Sequence, residues 1–143
     1  MIQTTVPELF FNQITDTLLC GTTRNPWNPE YTCGASSGGS GAALAAGYCT
    51  IATGSDMGGS IRIPSALNGC YGLKPAIGYV HTEEIFSYFS GSGPMARSFE
   101  DLVLMYNVIS GPAPESPSVA EEPEYPLRYE SIKDVKIAYL GGM

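Results

Sequence analysis

Two stretches rich in serine and glycine carry the residues best able to do chemistry. The first is Gly34-Ala35-Ser36-Ser37-Gly38-Gly39-Ser40 and the second is Gly54-Ser55-Asp56-Met57-Gly58-Gly59-Ser60. A serine hydroxyl is a weak nucleophile. It attacks an acyl carbon only when a base takes its proton and preorganised donors hold the oxyanion that forms. The second stretch can supply such donors. Gly58 and Gly59 have no side chain, so their N–H groups can turn toward a substrate carbonyl at no steric cost. The consecutive N–H groups of Met57, Gly58, Gly59 and Ser60 could form a nest around negative charge. A plain glycine turn between a strand and a helix has the same composition, so this loop alone leaves both readings open.

The first stretch is weaker taken alone. No Gly-Lys-Ser/Thr follows it, which argues against a phosphate loop, and Leu44 stands where the last glycine of a dinucleotide fingerprint belongs. Gly34-Ala35-Ser36-Ser37-Gly38 matches G-x-S-x-G, and Ser36, Asp56 and His81 follow the chain order of an α/β-hydrolase triad. Two points oppose that triad. Pro29–Cys33 reads as loop rather than strand, and the sheet strands that separate such partners do not fit in so few residues. A solitary histidine is more often a surface or capping residue than a base.

The elements that must hold these loops follow from local pattern. Residues 1–20 offer only Leu9-Phe10-Phe11 and Leu18-Leu19 as anchors of short elements. Residues 21–35 read as an ordered loop, because Asn25-Pro26 and Asn28-Pro29 disfavour helix, with Trp27 pinning it to the body. Ser37 to Gly47 is small throughout and predicts a helix packed very closely on its neighbours. Tyr48–Thr53 predicts a short buried strand, and Pro64 the first turn of a helix. Ser98 with Asp101 marks a helix start, Leu102, Met105, Tyr106 and Ile109 make its apolar stripe, and Gly111-Pro112 end it. Residues 112–130, rich in proline and glutamate, read as a surface linker, and 135–140 as a final strand.

Composition narrows the classes. Charged residues are 15% of the 143, below the quarter or so usual for a self-contained domain, which suits part of a larger buried structure. The net charge of −7 leaves no basic patch for a nucleic-acid backbone. Cys20, Cys33, Cys49 and Cys70 form no C-x-x-C pair and there is one histidine, so a zinc constellation is not expected. Reduced cysteines in a cytoplasmic protein are the simplest reading. No apolar run is long enough to span a bilayer, and no basic segment followed by an apolar one marks a signal peptide.

Taken together, the two loops resemble the signature of the amidase signature family. Gly34–Ser40 and Gly54–Pro64 occur in that family's order and spacing, and three more blocks agree: Arg24-Asn25-Pro26-Trp27-Asn28-Pro29, Gly72-Leu73-Lys74-Pro75 and Gly93-Pro94-Met95-Ala96-Arg97. The resemblance covers most of residues 15–111, with a motif core of 24–97. It implies an α/β fold, part of a mixed β-sheet flanked by helices, and the hydrolysis of a carboxamide by a Ser–cisSer–Lys triad. Ser60 matches the nucleophile. Ser36 matches the serine preceded by a cis peptide bond, whose hydroxyl passes the proton between Ser60 and a lysine. Met57, Gly58, Gly59 and Ser60 match the oxyanion hole, and Ser37, Asp56 and Arg62 the supporting residues. No cofactor or metal is implied. The expected partner is a small-molecule amide, with no nucleic acid and no membrane span, and a homo-oligomer is compatible with the family.

One departure matters. In the family the triad lysine precedes the Arg-Asn-Pro-Trp block, and Met1–Thr23 holds no lysine. Lys74 falls in a block the family uses structurally. The expectation is therefore a partial amidase domain over 1–143 that lacks its base and is inactive alone, with truncated sheet edges that favour poor solubility. Two other readings stay open. One is the A subunit of a tRNA-dependent amidotransferase, disfavoured because Ile63 stands where that branch has Gln, and Tyr88-Phe89-Ser90-Gly91-Ser92 replaces its Leu-Asp-Gln stretch. The other is a catalytically dead fragment that binds a ligand or partner.

Overall fold

The computed structural model describes residues 1–81, 89–112 and 124–138. Its elements in chain order are β1 (Asp16–Thr17), β2 (Gly21–Thr22), β3 (Arg24–Asn25), β4 (Asn28–Thr32), α1 (Gly38–Ala45), β5 (Ile51–Asp56), α2 (Arg62–Asn68), β6 (Tyr71–Gly72), β7 (Gly91–Ala96) and α3 (Phe99–Ile109). A 3₁₀ turn at Glu8–Phe10 precedes them.

Helix α1 is central because, Leu44 apart, its residues are all small. All residues from Gly38 to Leu44 are buried. At Gly39 an added Cβ would strike the Thr5 backbone, and the Gly39 N–H donates to the Thr5 carbonyl at 3.1 Å. Two residues on, about half a turn round the helix, Gly41 lies against Pro64 and Asn68 of α2. The missing side chains thus let the N-terminal segment and α2 close on α1 from different sides.

The sheet has the order β5-β7-β6, and both ladders are antiparallel. Register runs from Ile51 opposite Ala96 to Asp56 opposite Gly91, so β5 delivers Asp56 at the end of its ladder. Helices α1, α2 and α3 contact β5, β6 and β7, which gives the α/β class that the motifs imply. Leu44, Ile61 and Met95 are completely buried and form the core, with Cys49, Ala52 and Cys70 packed on them. Each comes from a different element, so burying them joins α1, the start of α2 and β7. Helix α3 starts where its sequence says it should: Ser98 Oγ accepts the Asp101 N–H at 3.1 Å. Leu102, Val103 and Tyr106 are its buried face, while Met105 and Ile109 are only half-buried. Among the described residues no helix is long and apolar enough to cross a membrane.

Three expectations change. Residues 21–35 are not a loop. β1 pairs with β2 and β3 with β4, with an irregular register between Arg24 and Asn25. Proline fits at Pro26 because it lies in the β3–β4 turn. The strand placed at 48–53 runs instead over Ile51–Asp56 and is mostly half-exposed, because Gly54 and Ser55 pair with β7 rather than turning. The strand placed at 135–140 is absent over 135–138, which pair with no other strand. Its last two positions, and most of the stretch 112–130, lie outside the described residues. Every ladder among the described strands is antiparallel, so the parallel pairing that a mixed sheet also holds is not formed within them.

Gly93 sits where β7 crosses the segment 73–75. A Cβ there would strike the Leu73 carbonyl oxygen and lie 2.8 Å from the Pro75 ring. Backbone and a proline ring cannot swing aside. Gly93→Ala is expected to lose about 1–3 kcal/mol of stability, read as a lower urea midpoint with an unchanged slope.

Candidate active site

The second glycine loop is built round one carboxylate. Asp56 is completely buried. Its Oδ1 accepts the Gly59 N–H at 2.8 Å and Arg62 Nη2 at 3.0 Å. Its Oδ2 accepts Arg62 Nε at 3.0 Å and the N–H groups of Ile61 and Arg62 at 3.2 and 3.3 Å. The side chain therefore ends β5, folds residues 57–60 into a loop and satisfies the first N–H groups of α2. Burial pushes its carboxyl up. The Arg62 guanidinium and the three backbone N–H groups outweigh that and hold it below the usual carboxylate range.

The first loop is fastened to the second at several points. Ser37 N–H donates to the Ser60 carbonyl at 3.2 Å. Ser37 Oγ accepts the Ser55 N–H at 3.3 Å and donates to the Ser55 carbonyl at 3.4 Å. Ser40 Oγ donates to the Thr53 carbonyl at 3.0 Å. The Ala35–Ser36 peptide is cis, as the resemblance implies. On its other flank Thr15 Oγ1 donates to the Gly34 carbonyl at 2.8 Å.

Ser36 and Ser60 line one cavity of about 510 Å³, together with Met57 and Gly58. Ser36 is 3% exposed, whereas Ser60 is half-buried, so Ser60 is the more accessible of the two. Gly59, Asp56, Arg62 and Ser37 are not part of that wall. The structure narrows the donor set here, because the Gly59 N–H points at Asp56. Among the described residues no acceptor in the protein takes the N–H groups of Met57, Gly58 or Ser60. A larger cavity, about 770 Å³, lies along β5 and contains neither Ser36 nor Ser60.

Other candidate groups are not brought in. His81 does not line the site, and none of the five bonds to Asp56 comes from it, which removes the Ser36–Asp56–His81 triad. Lys74 Nζ donates to the Pro75 carbonyl at 3.3 Å and is also outside the cavity. Desolvation pushes the thiols of Cys33, Cys49 and Cys70 up, so none of these three offers a thiolate. Two contributors carried no sequence signal. Thr15 is an isolated residue without a motif. Asn68, also completely buried, donates from Nδ2 to the carbonyls of Cys33 and Pro64, both at 2.8 Å, while its own backbone carbonyl accepts Trp27 Nε1 at 2.8 Å. Trp27 is thus pinned by a hydrogen bond while the residue stays 72% exposed.

A family model described as Amidase matches residues 1–142. The chain belongs to the amidase family. It is 49% identical over 142 residues to the A subunit of the glutamyl-tRNA(Gln) amidotransferase of Sulfurisphaera tokodaii, covering 96% of this chain and 30% of that protein. It is 40% identical over 145 aligned positions to the indoleacetamide hydrolase of Bradyrhizobium diazoefficiens, covering 91% of this chain and 28% of that one. Among solved amidase-family structures, 6-aminohexanoate cyclic dimer hydrolase superposes with a TM-score of 0.79 at 36% identity, over 87% of this chain and 27% of that chain. The chain spans about 30% of the length of the curated relatives it matches first.

Replacing the Asp56 carboxylate removes the centre of the second loop. Asp56→Asn is expected to cost about 1–3 kcal/mol, the cost of orphaned buried donors, measured by denaturant unfolding. The pH dependence follows from the lowered carboxyl. Its contribution is complete above about pH 4, the ordinary carboxylate value, and is lost as pH falls through the lowered one. The gap in melting temperature between the native chain and Asp56→Asn should therefore close on acidification.

Proposed function

We propose that this chain carries the nucleophile, relay serine and oxyanion loop of an amide hydrolase. The observation that supports it most is that Ser60 and the buried Ser36 line one cavity with Met57 and Gly58, whose N–H groups meet no acceptor among the described residues. Ser60 Oγ attacks the amide carbon and its proton passes to Ser36. The carbonyl electrons collect on oxygen, held by the N–H groups of Met57, Gly58 and Ser60. Gly59, assigned to the same hole by its motif position, acts through Asp56. Collapse of the intermediate breaks the C–N bond, and Ser36 hands the proton to the leaving amine or ammonia. Water then cleaves the Ser60 ester to a carboxylate and restores the hydroxyl. Ser37, Asp56 and Arg62 hold the two loops in register.

The proton relay needs a base behind Ser36, and the family places a lysine there. None of residues 1–23 is lysine. The 143 residues alone are therefore expected to turn over no amide. Four free cysteines support a reducing compartment, the cytoplasm.

A second reading has its own support. The 49% identity to an amidotransferase A subunit favours glutamine as the amide, with ammonia passed to a partner. Ile63, in place of that branch's Gln after Arg62, weighs against it. Co-purification with the other chains of an amidotransferase, together with glutamine-dependent ammonia release, would reverse the choice.

Labelling separates an enzyme from a dead binding module. When the chain is extended with the lysine-bearing N-terminal segment of an amidase relative, a fluorophosphonate is expected to modify Ser60, located by peptide mass spectrometry. Ser60→Ala abolishes labelling, and Ser36→Ala slows it about 10²–10⁴-fold, the usual worth of a proton-transfer group. An extended, folded chain that is never labelled at Ser60 sinks the hydrolase reading.

A further inference from the structure

Ser36 has no fastening of its own. Among the described residues neither the Ala35 and Ser36 backbone nor the Ser36 hydroxyl makes a hydrogen bond within the protein. Ser36 is therefore placed by what holds the residues on either side. On the C-terminal side that is Ser37, tied to Ser55 and Ser60. On the N-terminal side the Gly34 N–H donates to Thr32 Oγ1 at 3.0 Å, and the Gly34 carbonyl accepts Thr15 Oγ1 at 2.8 Å. Cys33 Sγ reaches the same carbonyl only at 3.5 Å, and a thiol is a weak donor. The carbonyl that leads into Ala35 and Ser36 thus depends on one hydroxyl.

That hydroxyl lies where the local pattern would not put it. Thr15 is completely buried, the one buried residue between Glu8 and Arg24, while its apolar neighbours Ile14, Leu18 and Leu19 are exposed. A hydroxyl taken out of water must be answered by a partner, and Gly34 is that partner. The side chain is also wedged. A Cβ on Gly38, the first residue of α1, would strike Thr15 Oγ1 and lie 3.0 Å from Thr15 Cβ. Thr15 therefore lies against both glycines that bracket Ala35-Ser36-Ser37. Its own place is fixed. The Thr15 carbonyl accepts the Thr23 N–H at 2.8 Å, Thr23 Oγ1 pairs with Thr5 Oγ1 at 2.6 Å, and the Thr5 carbonyl accepts the Gly39 N–H. The circuit returns to α1 and closes round the serine loop.

We propose that Thr15 is a positioning residue for the relay serine: through the Gly34 carbonyl and the Gly38 contact it sets where the Ser36 hydroxyl stands relative to Ser60. The inference rests on the Ser60–Ser36 reading of the site. Thr15 is outside the cavity that Ser36 and Ser60 line, so it acts through Ser36 rather than on the substrate. A proton relay is sensitive to such an offset, because misplacing a reacting group by about 1 Å can cost about 10²-fold in rate.

The test is a double-mutant cycle on fluorophosphonate labelling of Ser60, in the chain extended with a lysine-bearing segment. Thr15→Val keeps the shape and removes the donor, whereas Thr15→Ser keeps the donor. Thr15→Val is expected to slow labelling at least about 10-fold, and Thr15→Ser to retain most of the rate. With Ser36→Ala already present, Thr15→Val should slow the residual labelling no further, because residues that act through one another do not add. Dispersed ¹⁵N spectra of the 143-residue chain with the same substitutions show that each variant is folded. Thr15→Ala, which leaves room for a water at the Gly34 carbonyl, takes the place of Thr15→Val in the cycle if the latter does not fold. Labelling that the loss of the donor leaves unchanged overturns the proposal. So does an equal loss with and without Ser36→Ala, the mark of a general packing defect, or a Thr15→Ser chain as slow as Thr15→Val. An extended, folded chain that is never labelled at Ser60 is a different result: it removes the hydrolase reading, and this role with it.

Discussion

A carboxylate sealed from water must have its oxygens answered, and at Asp56 the answer shapes the whole region. Each of the five bonds it accepts comes from a residue three to six positions further along the chain. To make them, the chain must leave the sheet, wrap once round the carboxylate and enter α2 with its first N–H groups already satisfied. Ser60 lies inside that wrap and has little freedom of its own. The interior cost of a buried charge is offset by hydrogen bonds and by Arg62, whose side chain stays 57% exposed. The exposed guanidinium is screened by water, so the three backbone donors set the loop more firmly than the ion pair does.

The two signature loops then need each other. Ser37 and Ser40 stand at the start of α1, and both hydroxyls reach β5. Only a helix without bulk can come this close to a strand. Behind it, Asn68 ties the end of α2 to Cys33, and Asn25 Nδ2 donates to the Leu67 carbonyl at 2.8 Å. The Arg-Asn-Pro-Trp block therefore acts at a distance from the serines: it fixes the far end of the helix whose near end carries Ser60.

These relations explain what could be read from the sequence. Glycine, serine and proline at fixed spacing advertise themselves, because the backbone paths they allow are narrow. The two serine-glycine loops and the small-residue helix were legible for that reason, and so was the Ser98 cap. The hairpins at 16–32 were not, since two-residue strands show no period and Pro29 reads as a breaker. The inward turn of the Gly59 N–H was equally hidden: a run of glycines says that amides can point freely, not which one a carboxylate will claim. The turn at Glu8–Phe10 was hidden as well, because its base, the completely buried Pro7, carries no mark of burial in the sequence.

The hydroxyls of Ser37 and Ser40 also change what the sheet offers to other chains. The groups of β5 that face away from β7 belong to alternate residues, and at Thr53 and Ser55 they are already engaged by α1. A strand edge is normally a template for uncontrolled pairing. Here an incoming strand would have to displace helix-borne hydroxyls at two successive positions, and with them the fastening of the serine loops. The fastening of the serine loops and the protection of the edge are one set of bonds, so any contact that adds a strand along β5 would also loosen the two loops from each other.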